Sequence, residues 1–261
     1  MRTRKIGAHT IEMYDRIEDL PVVRFHKYQK CLLIDAGIGS TIGDFDRRIE
    51  RARRFCMLGD TENTRKELEN LRQCVYMIQN GMSPKNLAFA VLVASIDGKP
   101  CDDISDDALC KVIELLSDAP DAELSEILHS VKKKIDAELT LYFPGIFEDS
   151  SVKEYFDIIR KRTLLILRGI VEGNERPDET DEVEKTTTAL ITYSKPARFS
   201  GSESAEIQFD RQFENLCLTL AHQLNTKPKE FSVLEFYNAF EYLKEKARSD
   251  EKAAKTARAR R

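Results

Sequence analysis

Four histidines, six cysteines, an aspartate-rich turn and a glycine-rich stretch are the places in this 261-residue chain where residue type could support chemistry. His9, His26, His129 and His222 stand in four separate contexts, none beside a spaced set of Cys, Asp or Glu that would make a metal motif. The one local pairing is on a helix, where His129 could approach Glu126 or Lys133, and that supplies no positioned nucleophile. Cys31, Cys56, Cys74, Cys101, Cys110 and Cys217 form no CxxC pair, so reduced and mostly buried thiols are the expectation. Asp102, Asp103, Asp106 and Asp107 lack the order of a calcium loop and sit beside a helix start, where their charge complements the helix dipole. Gly37, Gly39 and Gly43 invite comparison with a phosphate loop. The stretch has neither GxxxxGK[ST] nor GxGxxG after a clear strand, and reads as a turn. No catalytic residue, cofactor site or metal site is expected, and the chain reads as non-enzymatic.

Charge is more informative. The chain carries 41 Lys and Arg against 45 Asp and Glu, a net charge of -4 that gives no whole-chain reason to expect a nucleic-acid-wrapping protein. The sum hides a separation. Residues 244–261 hold eight basic and three acidic residues, net +5, and the rest holds 33 basic and 42 acidic, net -9. Lys252, Lys255, Arg258, Arg260 and Arg261 are the candidate contacts of this basic extension, to an acidic partner or to nucleic-acid phosphates, and the alternative is that the extension simply continues as a solvated helix. Aromatic residues are absent from it, which weakens a single-strand-binding role.

The elements that must position these groups are mostly helical. Apolar residues recur at three and four residues over Arg24 to Asp35, Asp44 to Met57 (Phe45, Ile49, Ala52, Cys56) and Thr61 to Asn80 (Leu68, Leu71, Val75, Ile78). Ser83 and Pro84 read as N-cap and first residue of a helix reaching Gly98. Ser105 caps a short helix, Glu123 to Tyr142 carries a long stripe, and Ser151 restarts the pattern to Gly169 or Gly173. Glu206 to Leu224 forms a further stripe. Ser232 and Glu235 have capping-box spacing, with Phe231 and Phe236 as the hydrophobic staple of the last helix. His9 to Tyr14 alternates as a short edge strand, and TTTALITY at Thr186 to Tyr193 favours an extended segment.

Between Glu172 and Glu184 seven of thirteen residues are acidic against one Arg. The fold expected is therefore mainly α, with a multi-helix N-terminal domain over residues 1–171 and an acidic, polar linker with a short strand over 172–203. A smaller C-terminal helical unit over 204–243 and the basic extension 244–261 complete it. The start is basic without an apolar signal core, and neither secretion nor membrane spanning is indicated.

The stretches YDRIEDLPVVRFHKYQKCLLIDAGIGS, LRQCVYMIQN and VKKKIDAELTLYFPGIFEDSSVKEYFDIIRKRTLLIL resemble proteins of tailed bacteriophages that infect Bacteroides-like gut bacteria, across about Tyr14 to Leu167. The ending LNTKPKEFSVLEFYNAFEYLKE resembles the terminal helical unit of phage tail-assembly chaperones. The resemblance implies a virion component, such as a structural or head–tail connector-like protein, that contacts other phage structural proteins. Location would be the virion, and the host cytoplasm during assembly. A tail-assembly chaperone and a packaging-associated nucleic-acid-binding protein are the alternatives. As a virion component its work would be multivalent docking, with homo-oligomer formation among the expectations and no membrane partner.

Overall fold

A computed structural model describes the backbone of residues 1–117, 120–147, 150–174, 176–193 and 195–259, and the side chains of the same residues except 121–122, 147, 150–154, 179 and 253–259. In chain order come strands β1 (Arg2–Ile6) and β2 (His9–Met13), then helices α1 (Val22–Gly37), α2 (Ile42–Met57), α3 (Thr61–Gln79) and α4 (Pro84–Leu92). Strands β3 (Val93–Ile96) and β4 (Lys99–Pro100) follow, then α5 (Asp106–Leu115), α6 (Asp121–Tyr142), the short α7 (Pro144–Phe147) and α8 (Ser150–Val171). A 3-10 turn (Pro177–Glu179), α9 (Asp181–Tyr193), α10 (Ala205–Leu224), a second 3-10 turn (Pro228–Glu230) and α11 (Val233–Ala259) complete the chain. The protein is mainly helical with one small open sheet, as expected from the periodicity.

The described chain forms two compact units, each assembled from separated stretches. Unit 1 comprises residues 1–35, 83–144 and 206–261, and unit 2 comprises 36–82 and 145–205.

In unit 1 the four strands pair antiparallel in the order β1-β2-β3-β4. His9 to Met13 is the strand its alternation predicts, with Ile11 and Met13 buried on one face. Asp97 and Gly98 turn β3 into β4 with φ of 49° and 77°, the left-handed pair that a two-residue hairpin demands. The expected helix from Pro84 to Gly98 is corrected: it stops at Leu92, and Val93 to Ile96 pair with β2. The apolar run through Val91, Leu92 and Val93 fits either state by pattern, and β-branching together with strand pairing decides it. Buried Arg24 closes the junction, donating from Nη1 to the carbonyls of Val91 (2.9 Å) and Val93 (3.1 Å) and from Nη2 to that of Cys101. The long stripe of α6 is buried as predicted, through Val131, Ile135 and Leu139.

The last two helices pack in unit 1. Cys217, Leu220 and Phe236 form a cluster with Val22, and Phe213 and Phe231 lie against it. The capping box is present: Glu235 N–H donates to Ser232 Oγ (3.3 Å) and Ser232 N–H to Glu235 Oε2 (2.9 Å). Val22 N–H to Phe231 carbonyl and Val233 N–H to Leu20 carbonyl, both 2.9 Å, pin the start of α11 to the chain before α1.

In unit 2, α2 packs against α3, α8 against α9, and α9 against α2. The expected strand at Thr186 to Tyr193 is corrected to the second half of α9. Three features override β propensity there. Asp181, Glu182 and Glu184 occupy the first turn, where the helix dipole favours anions. Val183 and Thr186 are buried three residues apart. Thr186, Thr187 and Thr192 turn their hydroxyls back onto carbonyls three or four residues earlier, which satisfies them inside a helix.

Candidate interaction surface

Among the described residues, the histidines, glycines and aspartates singled out in the sequence are held by internal bonds or lie apart. His26 on α1 lies between two phenylalanine rings of α10, 4.6 Å from Phe209 and 4.1 Å from Phe213 and nearly parallel to both. Its Nε2 meets Asp210 Oδ1 at 2.9 Å, and the other oxygen of Asp210 accepts from Lys30 Nζ at 2.6 Å. Burial pushes the imidazole below its ordinary pKa, and the Asp210 bond opposes that only in part. With both ring faces covered, His26 is a packed polar latch rather than a base open to substrate. The other histidines are apart: His129 and His222 are exposed on α6 and α10, and His9 bonds Asp97 across the first hairpins (2.7 Å).

The turn expected of the glycine-rich stretch is confined to residues 38–41, since Gly37 ends α1 and Gly43 lies within α2, and donors of Ser40 and Thr41 are filled from within. The N–H groups of Ser40 (3.1 Å) and Thr41 (3.0 Å) and the Thr41 hydroxyl (2.7 Å) all donate to Asp44 Oδ2, with Arg47 on the other oxygen. Burial would raise the Asp44 pKa, but these bonds outweigh it and hold the carboxyl below the usual range. An anion would find its place taken by the protein's own carboxylate. Asp103 accepts from the Ser105 N–H (2.8 Å), and Asp106 meets Lys27 (2.6 Å). All six cysteines are free, and burial raises the Cys31 thiol to about 11. Among the described residues no cluster of His, Cys, Asp or Glu could hold a metal, and no helix is long and apolar enough to cross a membrane.

What stands out is how unit 2 distributes polarity. The predicted apolar stripe of α3 is corrected: the fully buried residues are Asn63, Glu67, Asn70 and Cys74, while Leu68 is 49% exposed and Leu71, Val75 and Ile78 are half-buried. On α2 the buried residues are Asp44, Arg48, Ala52 and Phe55, whereas Ile49 and Cys56, expected inside, face out. At the centre of this polar face is one buried carboxylate. Glu67, with 0% exposure, accepts from Arg48 Nη1 at 2.9 Å and Arg51 Nε at 2.5 Å. Arg48 also donates to the carbonyls of Ala36 (2.8 Å) and Ile38 (3.3 Å), and Asn70 to that of Ala197 (2.9 Å). Two stripes coexist on α3, one polar and one apolar, and the polar one faces inward with Glu67 paired to the α2 arginines, Asn63 to Asp60 and Asn70 to the Ala197 carbonyl.

The consequence is a thin apolar interior and an apolar exterior. Among the buried apolar residues unit 2 contributes Ile38, Ala52, Phe55, Cys74, Val183 and Phe199. Large apolar side chains instead stand exposed along its helices: Ile42, Met57 and Leu58 on or beside α2, Tyr76 on α3, and a row on α8. On α8 the sides divide cleanly. Ile158, Ile159, Arg162, Leu165, Ile166 and Gly169 are half-buried or buried, and Arg162 reaches Thr187 of α9 (2.8 Å). The opposite side exposes Phe156, Leu164, Leu167, Ile170 and Val171, from 51% to 86%.

Lys252 is exposed on α11, Lys255 and Arg258 lie on its backbone with side chains outside the described residues, and Arg260 and Arg261 are outside the described residues altogether. The exposed face of α8 is what sequence reading missed. Its signal was present in the run ILRGIV after TLL, which has more apolar residues than one packed face of a helix requires.

No family model, curated protein or solved structure matches the chain. This corrects the assignment to bacteriophage, virion, tail and head–tail connector proteins, which rested on the resemblance alone: it was carried by helical stretches whose three-and-four spacing recurs in unrelated helical proteins.

Proposed function

We propose that this chain is a non-enzymatic interaction protein that holds protein partners through the outward helix faces of unit 2. The observation that carries the reading is the inversion of that unit, with Glu67, Arg48, Asn63 and Asn70 inside and Phe156, Leu164, Leu167 and Val171 outside. Each large apolar side chain left in water forgoes about 1.5–3 kcal/mol of burial. A monomer with no use for these faces gains nothing by displaying them, and contiguous exposed apolar surface is the usual mark of a docking site. The buried ion network suits the same role, since it fixes how α2 and α3 meet without consuming the apolar residues as core. Several modest contacts on one unit would reinforce each other through effective concentration.

Cross-linking of the full chain inside the cells that make it, with the linked peptides mapped by mass spectrometry, tests this. Intermolecular links are expected to concentrate in residues 36–82 and 145–205. Links confined to unit 1, or scattered without preference, would contradict it.

A further inference from the structure

We propose that β1 is a docking edge in unit 1, which takes an extended acidic segment of a partner protein as one more strand of the sheet. The inference does not depend on the reading of unit 2.

β1 ends the strand order, so one of its sides has no strand beside it. Which backbone groups face that side follows from the hairpin. Gly7 and Ala8 form a two-residue turn, with Gly7 at φ 57°, and Ile6 pairs with His9. The pair flanking such a turn exchanges both backbone bonds, and pairs then alternate along the ladder between bonded and unbonded. Ile6, Arg4 and Arg2 therefore direct their N–H and carbonyl groups to β2, while Thr3 and Lys5 direct theirs away from it. The far side of β2 agrees. The Asp97 N–H donates to the carbonyl of Thr10, the residue opposite Lys5, at 2.8 Å, so Thr10 faces β3 rather than β1. The N–H and carbonyl groups of Thr3 and Lys5 thus stand along the free edge, on exposed residues, with no bond to any other group among the described residues.

Side chains decide the occupant. Arg2 and Arg4 share the sheet face of buried Ile6, Ile11 and Met13 and are half-buried along it, while Lys5 is exposed on the other face. These three cations have no ion pair among the described residues. A second copy does not fit. Antiparallel registers that bond Thr3 and Lys5 to the same residues of another β1 set Arg4 against Arg4, Arg2 against Arg4, or Lys5 against Lys5, and like charges directly opposite are destabilising. Parallel pairing in register places each cation beside its own kind. Inward-pointing charge on an edge strand is how sheets resist pairing with their own copies. The same charges admit an extended segment with acidic residues at alternate positions, which face Arg2 and Arg4 while its backbone meets Thr3 and Lys5. Nucleic-acid phosphates would answer the cations but offer no ladder of donors to the two edge carbonyls.

Fluorescence anisotropy tests this, with the full chain titrated into a labelled, capped peptide of alternating glutamate and valine, about six residues long. A Kd on the order of 10 to 100 µM is expected, and amide hydrogen exchange should slow at Thr3 and Lys5 on binding. Arg4→Glu should weaken binding at least about tenfold. Thr3→Pro, which removes an outward N–H and spares the bonds to β2, should weaken it similarly. The peptide controls need no variant of the chain. Methylating the valine nitrogens, which face β1 when the glutamates face Arg2 and Arg4, should abolish binding, and exchanging glutamate for lysine should do the same. No binding at about 1 mM chain would overturn the proposal. Equal binding of the valine-methylated peptide, or of a single-stranded DNA oligonucleotide, would also overturn it, leaving charge attraction without strand addition.

Discussion

The carboxylate of Glu67 has no exposure to solvent and stands 2.9 Å from Nη1 of Arg48. Removing it leaves Arg48 buried beside two carbonyls and no counter-charge, an arrangement that costs about 3–5 kcal/mol. Glu67→Ala should therefore lower the denaturant midpoint of the full chain sharply. Glu67→Leu combined with Arg48→Met and Arg51→Met should recover most of the loss, because an apolar trio replaces the ion network without an orphaned charge. Equilibrium unfolding of these two variants measures both effects.

His26 makes stability depend on pH in a defined direction. Its folded pKa lies below the ordinary 6.5, so the folded state binds fewer protons than the unfolded state in that region. Its contribution is present above 6.5 and is lost as pH falls through the folded value. The groups facing the ring are Lys30 from its own helix and Asp210 and Glu214 from α10, and the two carboxylates oppose the lowering without cancelling it. Wild type should lose more stability than His26→Gln between about pH 7 and pH 5. Parallel urea titrations of the two proteins at these pH values would show it, and equal losses would contradict the latch.

Gly37 is a close-approach glycine. A Cβ there would stand 2.0 Å from the ring of Phe199. Gly37→Ala should destabilise by about 1–3 kcal/mol through overpacking, and Phe199→Leu in the same chain should relieve part of it. Non-additivity in a double-mutant cycle is the diagnostic.

The capping box gives a smaller effect. Ser232→Ala removes the acceptor for the Glu235 N–H and should cost about 1 kcal/mol, lowering the thermal midpoint by a few degrees.

Helices with strong punctuation were legible in the sequence. Ser83–Pro84, Ser105 and the Ser232/Glu235 box all mark real starts, because capping is a local event between residues three apart. Which face of a helix turns inward was less legible. On α3 the spacing of Leu68, Leu71, Val75 and Ile78 is as regular as that of Asn63, Glu67, Asn70 and Cys74, and the partners of the polar set, arginines of α2 for Glu67 and the Ala197 carbonyl for Asn70, lie far away in the chain. The helix at Thr186 to Tyr193 was hidden for a related reason, since β-branched residues are neutral to it once their hydroxyls bond the preceding turn. The makeup of each unit depends on contacts such as Val22 to Phe231, which periodicity does not encode. The α8 face was visible only as a surplus of apolar residues. Recognising it as surface needed the position of α9.

If unit 2 docks partners, its outward apolar faces are covered when the protein works. Radical footprinting measures this side chain by side chain, comparing the dilute purified chain with the same chain in the cells that make it. Phe156, Leu164, Leu167, Ile170 and Val171 should label readily in dilute solution and be protected in cells, while exposed Leu218 on α10 in unit 1 labels alike in both. Equal labelling of the α8 residues in the two settings would contradict the account.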